Sequence, residues 1–139
     1  MSGARHPRPR VLALFGPTAV GKSALAHHAA LALGGEIIVA DPFQRYRGLE
    51  IAADAHPPVA ARGVRSHLVG DLDLAQASSA GEYGTHAASC IDGVLARGRV
   101  PIVAGGTALY VRAAIAEVGF PSSPEPGLRA EVEATVERD

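Results

Sequence analysis

The stretch Val11–Ala26, VLALFGPTAVGKSALA, decides how the rest of the chain is read. Val11 to Phe15 is a short apolar run of the kind that forms a buried strand. Gly16-Pro17-Thr18-Ala19-Val20-Gly21-Lys22-Ser23 follows with the spacing G-x-x-x-x-G-K-[ST]. Lys22 to Leu33 is then rich in Ala and Leu, free of Pro and Gly, and predicts a helix stopped by Gly34-Gly35. Strand, glycine-rich loop and helix in this order make a cradle for anions. The glycines let successive N–H groups point inward at phosphate oxygens, and the helix start adds the positive end of its dipole. Lys22 supplies a compact charge for the terminal phosphates, and Ser23 offers a hydroxyl to Mg²⁺. The alternative is a chance glycine-rich turn, which the flanking strand and helix disfavour. The loop implies a diphosphate or polyphosphate ligand and does not say which.

Outward from this stretch the same alternation continues. Ile37 to Ala40 predicts a second buried strand, ending at Asp41-Pro42. Phe43 to Arg65 has no clean period and reads as irregular with a short helix at most, and His67 to Val69 as a short strand. Ala80 to Arg97 predicts a helix closed by Gly98, with Ala87, Ala88, Ile91, Val94 and Leu95 at helical spacing. Val100 to Ala104 is a third strand, followed by Gly105-Gly106 and a helix from Thr107 to Glu117. Phe120 to Gly127, with three prolines, reads as a linker, and Leu128 to Asp139 as a charged helix within which the chain stops. Nearly all-apolar strands alternating with helices imply an α/β fold: a P-loop NTPase-like parallel sheet with helices on both faces. Residues 1–120 would form the phosphate-binding core, and 121–139 the linker and the start of a helix whose continuation is missing.

Composition removes several classes of function. The 139 residues suit one domain; 47% are apolar and 19% charged, so a packed core is expected. Ala fills 27 positions and Trp none, so that core is built from small aliphatic side chains. A net charge of −1 excludes a strongly basic nucleic-acid coat but not a local basic patch. Cys90 is the only cysteine and cannot form an internal disulfide. Uncharged stretches such as Ser23 to Gly35 fall short of the ~18 apolar residues of a spanning helix, and the run after the basic start is too short for an export signal. A cytoplasmic protein without a membrane partner is the expectation. The 13 basic side chains comprise 12 Arg and one lysine, Lys22. Coding bias explains the arginine excess; the single ammonium sits where a phosphate would use it.

In parallel sheets ligands bind beyond the carboxyl ends of the strands. Three strand exits therefore converge on one rim: 16–23, 41–44 and 105–107. Asp41 leaves its strand there as a magnesium ligand through water, a general base, or an ordinary strand-end cap. Gln44, Arg45, Tyr46 and Arg47 could hold a base and its phosphate, or form a solvated loop. Thr107 either faces the ligand or merely caps its helix. His27 and His28 lack a partner at ligand spacing and read as helix-surface or packing residues. His67 ends near the same edge, and Cys90 reads as filler in a helix.

Together, Gly16 to Ser23, Asp41 through Gly48, and Gly98 to Tyr110 resemble the tRNA dimethylallyltransferase (tRNA isopentenyltransferase) family, from about Val11 to the chain end. The resemblance implies transfer of a dimethylallyl group from dimethylallyl diphosphate to N6 of an adenosine beside a tRNA anticodon, with Mg²⁺. By position, Gly16, Pro17 and Thr18 to Ser23 (Ala19, Val20, Gly21 and Lys22 between them) would cradle the diphosphate and metal, and Ser23 would touch the metal. Asp41 would accept the N6 proton, and Thr107 would contact the nucleotide or donor. Asp41, Pro42, Phe43, Gln44, Thr107 and Arg129 would touch tRNA. A monomeric full-length enzyme is expected. The sequence departs from the family's usual pattern in having Pro42 after the aspartate, Ala52 to Pro57 after the tyrosine loop, and Ser66-His67 in place of a His pair. The family's members are also longer. An adenylate isopentenyltransferase, a P-loop kinase and a non-catalytic nucleotide-binding module are the competing readings.

Overall fold

A computed structural model describes residues 11–53, 63–121, 125 and 127–137. The start of the chain, the departures at 54–57 and the last two residues of the helix expected over 128–139 lie outside these. The elements are β1 (Leu12–Phe15), α1 (Lys22–Leu33), β2 (Gly35–Val39), β3 (Ser66–His67), α2 (Ala80–Ala96), β4 (Val100–Gly105), α3 (Ala108–Ile115) and α4 (Leu128–Val136). The four strands form one parallel sheet in the order β1-β4-β2-β3. Parallel strands need long crossovers; α1 lies in the one from β1 to β2 and α2 in the one from β3 to β4.

Alternation along the strands sorts the core into two layers. Ile37 and Ile102 pair in register and point to α1, against Ala26 and Ala30. Ile38 and Val103, one residue on, point to the other face and pack with Tyr83, Ala87, Ile91 and Val94 of α2 and Tyr110, Val111 and Ala114 of α3. Small residues let these layers close tightly: a Cβ on Gly84 would come within 2.9 Å of the Ala113 carbonyl, so α2 and α3 touch nearly backbone to backbone.

Most predicted elements stand where expected, with differences at their ends. β2 starts two residues early, at Gly35 opposite Val100. β3 is only Ser66–His67, because Leu68 turns to a φ of 60° and breaks the strand. The described parts of the irregular segment, 43–53 and 63–65, are turns and irregular chain, with one parallel bridge from Tyr46 to Leu72. α3 is shorter than 107–117, since Ala116 is already extended. α4 exposes Leu128, Val132 and Val136 along one side and buries nothing. Among the described residues, no helix is long and apolar enough to cross a membrane.

Candidate active site

Sheet order brings the three exits together. β4 lies between β1 and β2, so Gly105-Gly106-Thr107 is flanked by the phosphate loop on one side and Asp41 on the other. Phe15 is opposite Gly105, and the Ala40 amide donates to the Ala104 carbonyl at 2.8 Å. The loop and Asp41 thus sit two strand spacings apart, about 10 Å. What keeps that interval clear is glycine. A Cβ on Gly106 would lie 3.5 Å from the Gly16 carbonyl oxygen and 3.8 Å from Lys22 Nζ.

The loop has the backbone of an anion nest. Ala19 and Gly21 take left-handed conformations, with φ of 64° and 86°, turning neighbouring N–H groups the same way. Gly21 is the N-cap of α1 and gives no side-chain cap, and the first turn of α1 carries no acid. The open N–H groups there remain for a ligand. Pro17, Thr18, Ala19, Val20, Gly21 and Ser23 are exposed, while Gly16 and Lys22 are half-buried. The Lys22 ammonium donates to the Pro17 carbonyl, folding the side chain back over the loop.

Across the glycine gap, Asp41 Oδ1 accepts from the amides of Phe43 at 2.8 Å and Gln44 at 3.3 Å. The carboxylate caps its own turn through one oxygen. Oδ2 makes no hydrogen bond among the described residues, so the capping and catalytic readings of Asp41 are compatible. Pro42 and Gln44 are half-buried beside it, and Phe43 projects its ring at 64% exposure. Thr107 is the N-cap of α3 but makes no side-chain cap hydrogen bond, which leaves its hydroxyl at the rim without that structural task.

With this geometry in view, the comparisons with known proteins are specific. Residues 44–139 match the family model for IPP transferase, and residues 9–71 the model for isopentenyl transferase. The chain belongs to the IPP transferase family. A tRNA dimethylallyltransferase of Streptomyces coelicolor is 44% identical over 131 residues, covering 94% of this chain and 42% of that protein. Its counterpart in Thermomicrobium roseum is 43% identical over 135 residues, covering 96% and 41%. Among solved structures, the full-length tRNA isopentenylpyrophosphate transferase of Bacillus halodurans superposes with a TM-score of 0.76 at 34% identity, covering 95% of this chain and 44% of that one. A eukaryotic dimethylallyltransferase acting on tRNA gives 0.76 at 28% identity, covering 94% and 33%. The chain spans about two-fifths of the length of the curated relatives it matches.

Two sequence expectations for this IPP transferase-family chain need correcting, those for the Arg45–Arg47 cluster and for His67. Arg45 does not face a ligand. It is 1% exposed and forms a bidentate pair with Asp71, Nε to Oδ1 at 3.2 Å and Nη2 to Oδ2 at 2.6 Å. Tyr46 and Arg47 are likewise engaged, the phenol with the Gln76 carbonyl and the guanidinium with Asp73. His67 does not reach the rim but bonds the buried Glu36 at 2.6 Å, near the start of β2 and so at the opposite end of the sheet. Arg129 is 88% exposed on α4 and bonds Glu133 within its own helix. His27 is a buried packing residue whose Nδ1 has no partner, His28 is exposed, and no cluster of metal-ligating side chains occurs among the described residues.

Sequence reasoning missed the supports of the site. Tyr83, fully buried on α2, donates its hydroxyl to the Val39 carbonyl at 3.0 Å and so fixes the strand end from which Asp41 emerges. Burial pushes its phenol well above the usual tyrosine range, so the donor keeps its proton. A capping box at Ser79 and Glu82 anchors the start of α2 and was legible as S-x-x-E.

Proposed function

We propose that the protein is part of an enzyme that transfers a dimethylallyl group from dimethylallyl diphosphate to N6 of an adenosine near the tRNA anticodon. The observation that carries this reading is the adjacency of the anion nest and Asp41 across the side-chain-free end of β4. Alkylation of an amine needs a proton acceptor beside the leaving diphosphate; phosphoryl transfer can use a carboxylate in the same place, and it is the family match that favours prenyl transfer.

The chain's own residues divide the work. Loop amides from Gly16 to Ser23 and the Lys22 ammonium bind the diphosphate and stabilise the charge that grows on it as the allylic C–O bond breaks. The donor set also suits Mg²⁺. Ser23 is exposed and offers one hydroxyl, and among the described residues there is no acidic cage, which fits an ion that keeps its waters and is held mainly by phosphate oxygens. When bound, it would add charge to offset the leaving group. The exocyclic amine is a weak nucleophile because its lone pair is delocalised into the ring, so orientation and proton removal matter most. Asp41 takes that proton on Oδ2 while Oδ1 stays tethered to the turn amides. Phe43 gives a flat apolar surface for the base once swung from its stack, with Pro42, Gln44 and Thr107 around it and Arg129 further along the tRNA. The reading carries with it a cytoplasmic enzyme working as a monomer.

The test is to incubate the full-length product with dimethylallyl diphosphate, Mg²⁺ and unmodified tRNA. Prenylated adenosine is expected in the tRNA, and Asp41→Asn should suppress it while retaining donor binding. Hydrolysis of ATP or phosphorylation of an acceptor in its place would overturn the reading. A free adenine nucleotide as acceptor is the second reading, compatible with the match of residues 9–71 to the isopentenyl transferase model, whose description names the group moved and not its acceptor. Supplying adenosine monophosphate beside tRNA separates the two.

A further inference from the structure

We propose that Arg45 is a positioning residue for the transfer reaction, holding the 41–44 turn so that the Asp41 carboxylate stays aimed across the glycine gap. The inference rests on the prenyl-transfer reading for its consequence, but not for its geometry.

Arg45 is the largest fully buried side chain among the described residues, and its bonds run in three directions. Asp71 takes Nε and Nη2, Ser78 Oγ takes Nη1 at 2.9 Å, and His86 Nδ1 lies 3.3 Å from Nη2. A guanidinium only donates, so Nδ1 of His86 accepts and its proton is on Nε2. The guanidinium carbon also sits 5.9 Å from the centre of the Tyr83 ring. One cation thereby joins the turn after β2 to the 70–78 segment and to α2.

The main chain repeats the connection. The Gly70 amide donates to the Gln44 carbonyl at 3.0 Å, the Leu72 amide to the Arg45 carbonyl at 2.9 Å, and the Arg47 amide to the Leu72 carbonyl at 2.9 Å. From Asp41 Oδ1 the path is short: to the amides of Phe43 and Gln44, then to the immobilised Arg45. A buried cation is costly to desolvate, and an apolar residue could fill the same space. The end of β2 itself is secured separately, by Tyr83 on Val39 and by the Ala40–Ala104 bond. What Arg45 adds is the orientation of the turn beyond that end.

The experiment uses the full-length product with Arg45→Met, Arg45→Lys and the paired change Arg45→Met/Asp71→Leu. Amide hydrogen exchange is followed at Phe43 and Gln44, with Ile102 and Val103 as internal controls, beside kcat and KM for prenyl transfer. Arg45→Met should speed exchange at 43 and 44 about tenfold and leave 102 and 103 unchanged. It should lower kcat about 10- to 100-fold while KM for the donor moves less than about twofold. Arg45→Lys, which keeps one charged contact to Asp71, should recover part of kcat. The paired change removes both charges and should restore the melting temperature without restoring kcat or slow exchange. Should the paired change restore kcat along with the melting temperature, or exchange at 43 and 44 stay slow in a folded variant, the proposal is overturned. If Arg45→Met does not fold, the paired change and Arg45→Lys make the same comparison. If the unaltered protein transfers no prenyl group, the functional reading fails, and the exchange measurement still decides whether Arg45 orders the turn.

Discussion

The carbonyl oxygen of Ala40 stands where a side chain on Gly105 would begin, 2.1 Å from the position of its Cβ. The last residue of β4 is thus pressed against the residue before Asp41, and only a hydrogen fits between them. Gly105→Ala must push the Ala40–Asp41 peptide outward. A loss of about 1–3 kcal/mol in denaturant unfolding is expected, together with loss of the proposed prenyl transfer.

Gly106 gives the contrasting case. Its nearest neighbours would be at ordinary contact distance from a Cβ, 3.5 Å or more, and its backbone is not in the left-handed region. Gly106→Leu should therefore fold but fill the gap beside Lys22. Calorimetry with pyrophosphate and Mg²⁺ is expected to show weakened binding at an unchanged melting temperature.

Lys22 and Asp41 should separate binding from chemistry. Charge-assisted contacts are worth about 1.5–3 kcal/mol, so Lys22→Met should weaken pyrophosphate binding by roughly 10- to 100-fold. Asp41→Asn should leave that affinity within about twofold and remove turnover. Equal loss of binding in both variants would contradict the division of roles across β4.

At the far end of the sheet, acid should act through Glu36. This carboxylate is 2% exposed and receives Arg97 through Nε at 3.1 Å and Nη2 at 2.8 Å, with His67 at 2.6 Å and Arg99 at 3.7 Å. The Arg97 hydrogen bonds, followed by those of His67, outweigh burial and lower its pKa from 4.5 to about 2. The folded state holds the proton less tightly than the unfolded chain, so the contribution is complete above pH 4.5 and disappears as pH falls through about 2. Its size is about 3 kcal/mol. Unfolding followed between these pH values should be steep, and Glu36→Gln should flatten that limb.

Alkali should act through Tyr83. Burial raises its phenol above the ordinary value of 10, so above that pH the unfolded chain releases a proton the folded state retains, and stability falls. Tyr83→Phe should lose about 1 kcal/mol at neutral pH, from the hydroxyl bond to Val39, and show a shallower alkaline limb.

Elements with a strong local signal were legible before any coordinates. Lys22 to Leu33 is bounded by glycines on both sides, and α1 has those limits. The strand exits could be assigned to one rim because parallel strands must all point the same way. What the sequence did not reveal is partnership at long range. Arg45 and Asp71 are 26 residues apart, and Glu36 and Arg97 are 61 apart. No local pattern distinguishes an arginine that faces a phosphate from one sealed beneath a turn. The same holds for Glu36, which looks like a surface residue at the start of a strand and is instead a buried carboxylate met by His67 and by the partly exposed Arg97 and Arg99.

Because β1 and β2 both hydrogen-bond to β4, the separation between the phosphate loop and Asp41 is a main-chain dimension. Mutation can retune the chemistry at either bank, but the width of the channel is measured out in peptide units and is largely beyond the reach of single side-chain changes. A lineage that altered its acceptor could reshape the approach to Asp41 while inheriting the span unchanged.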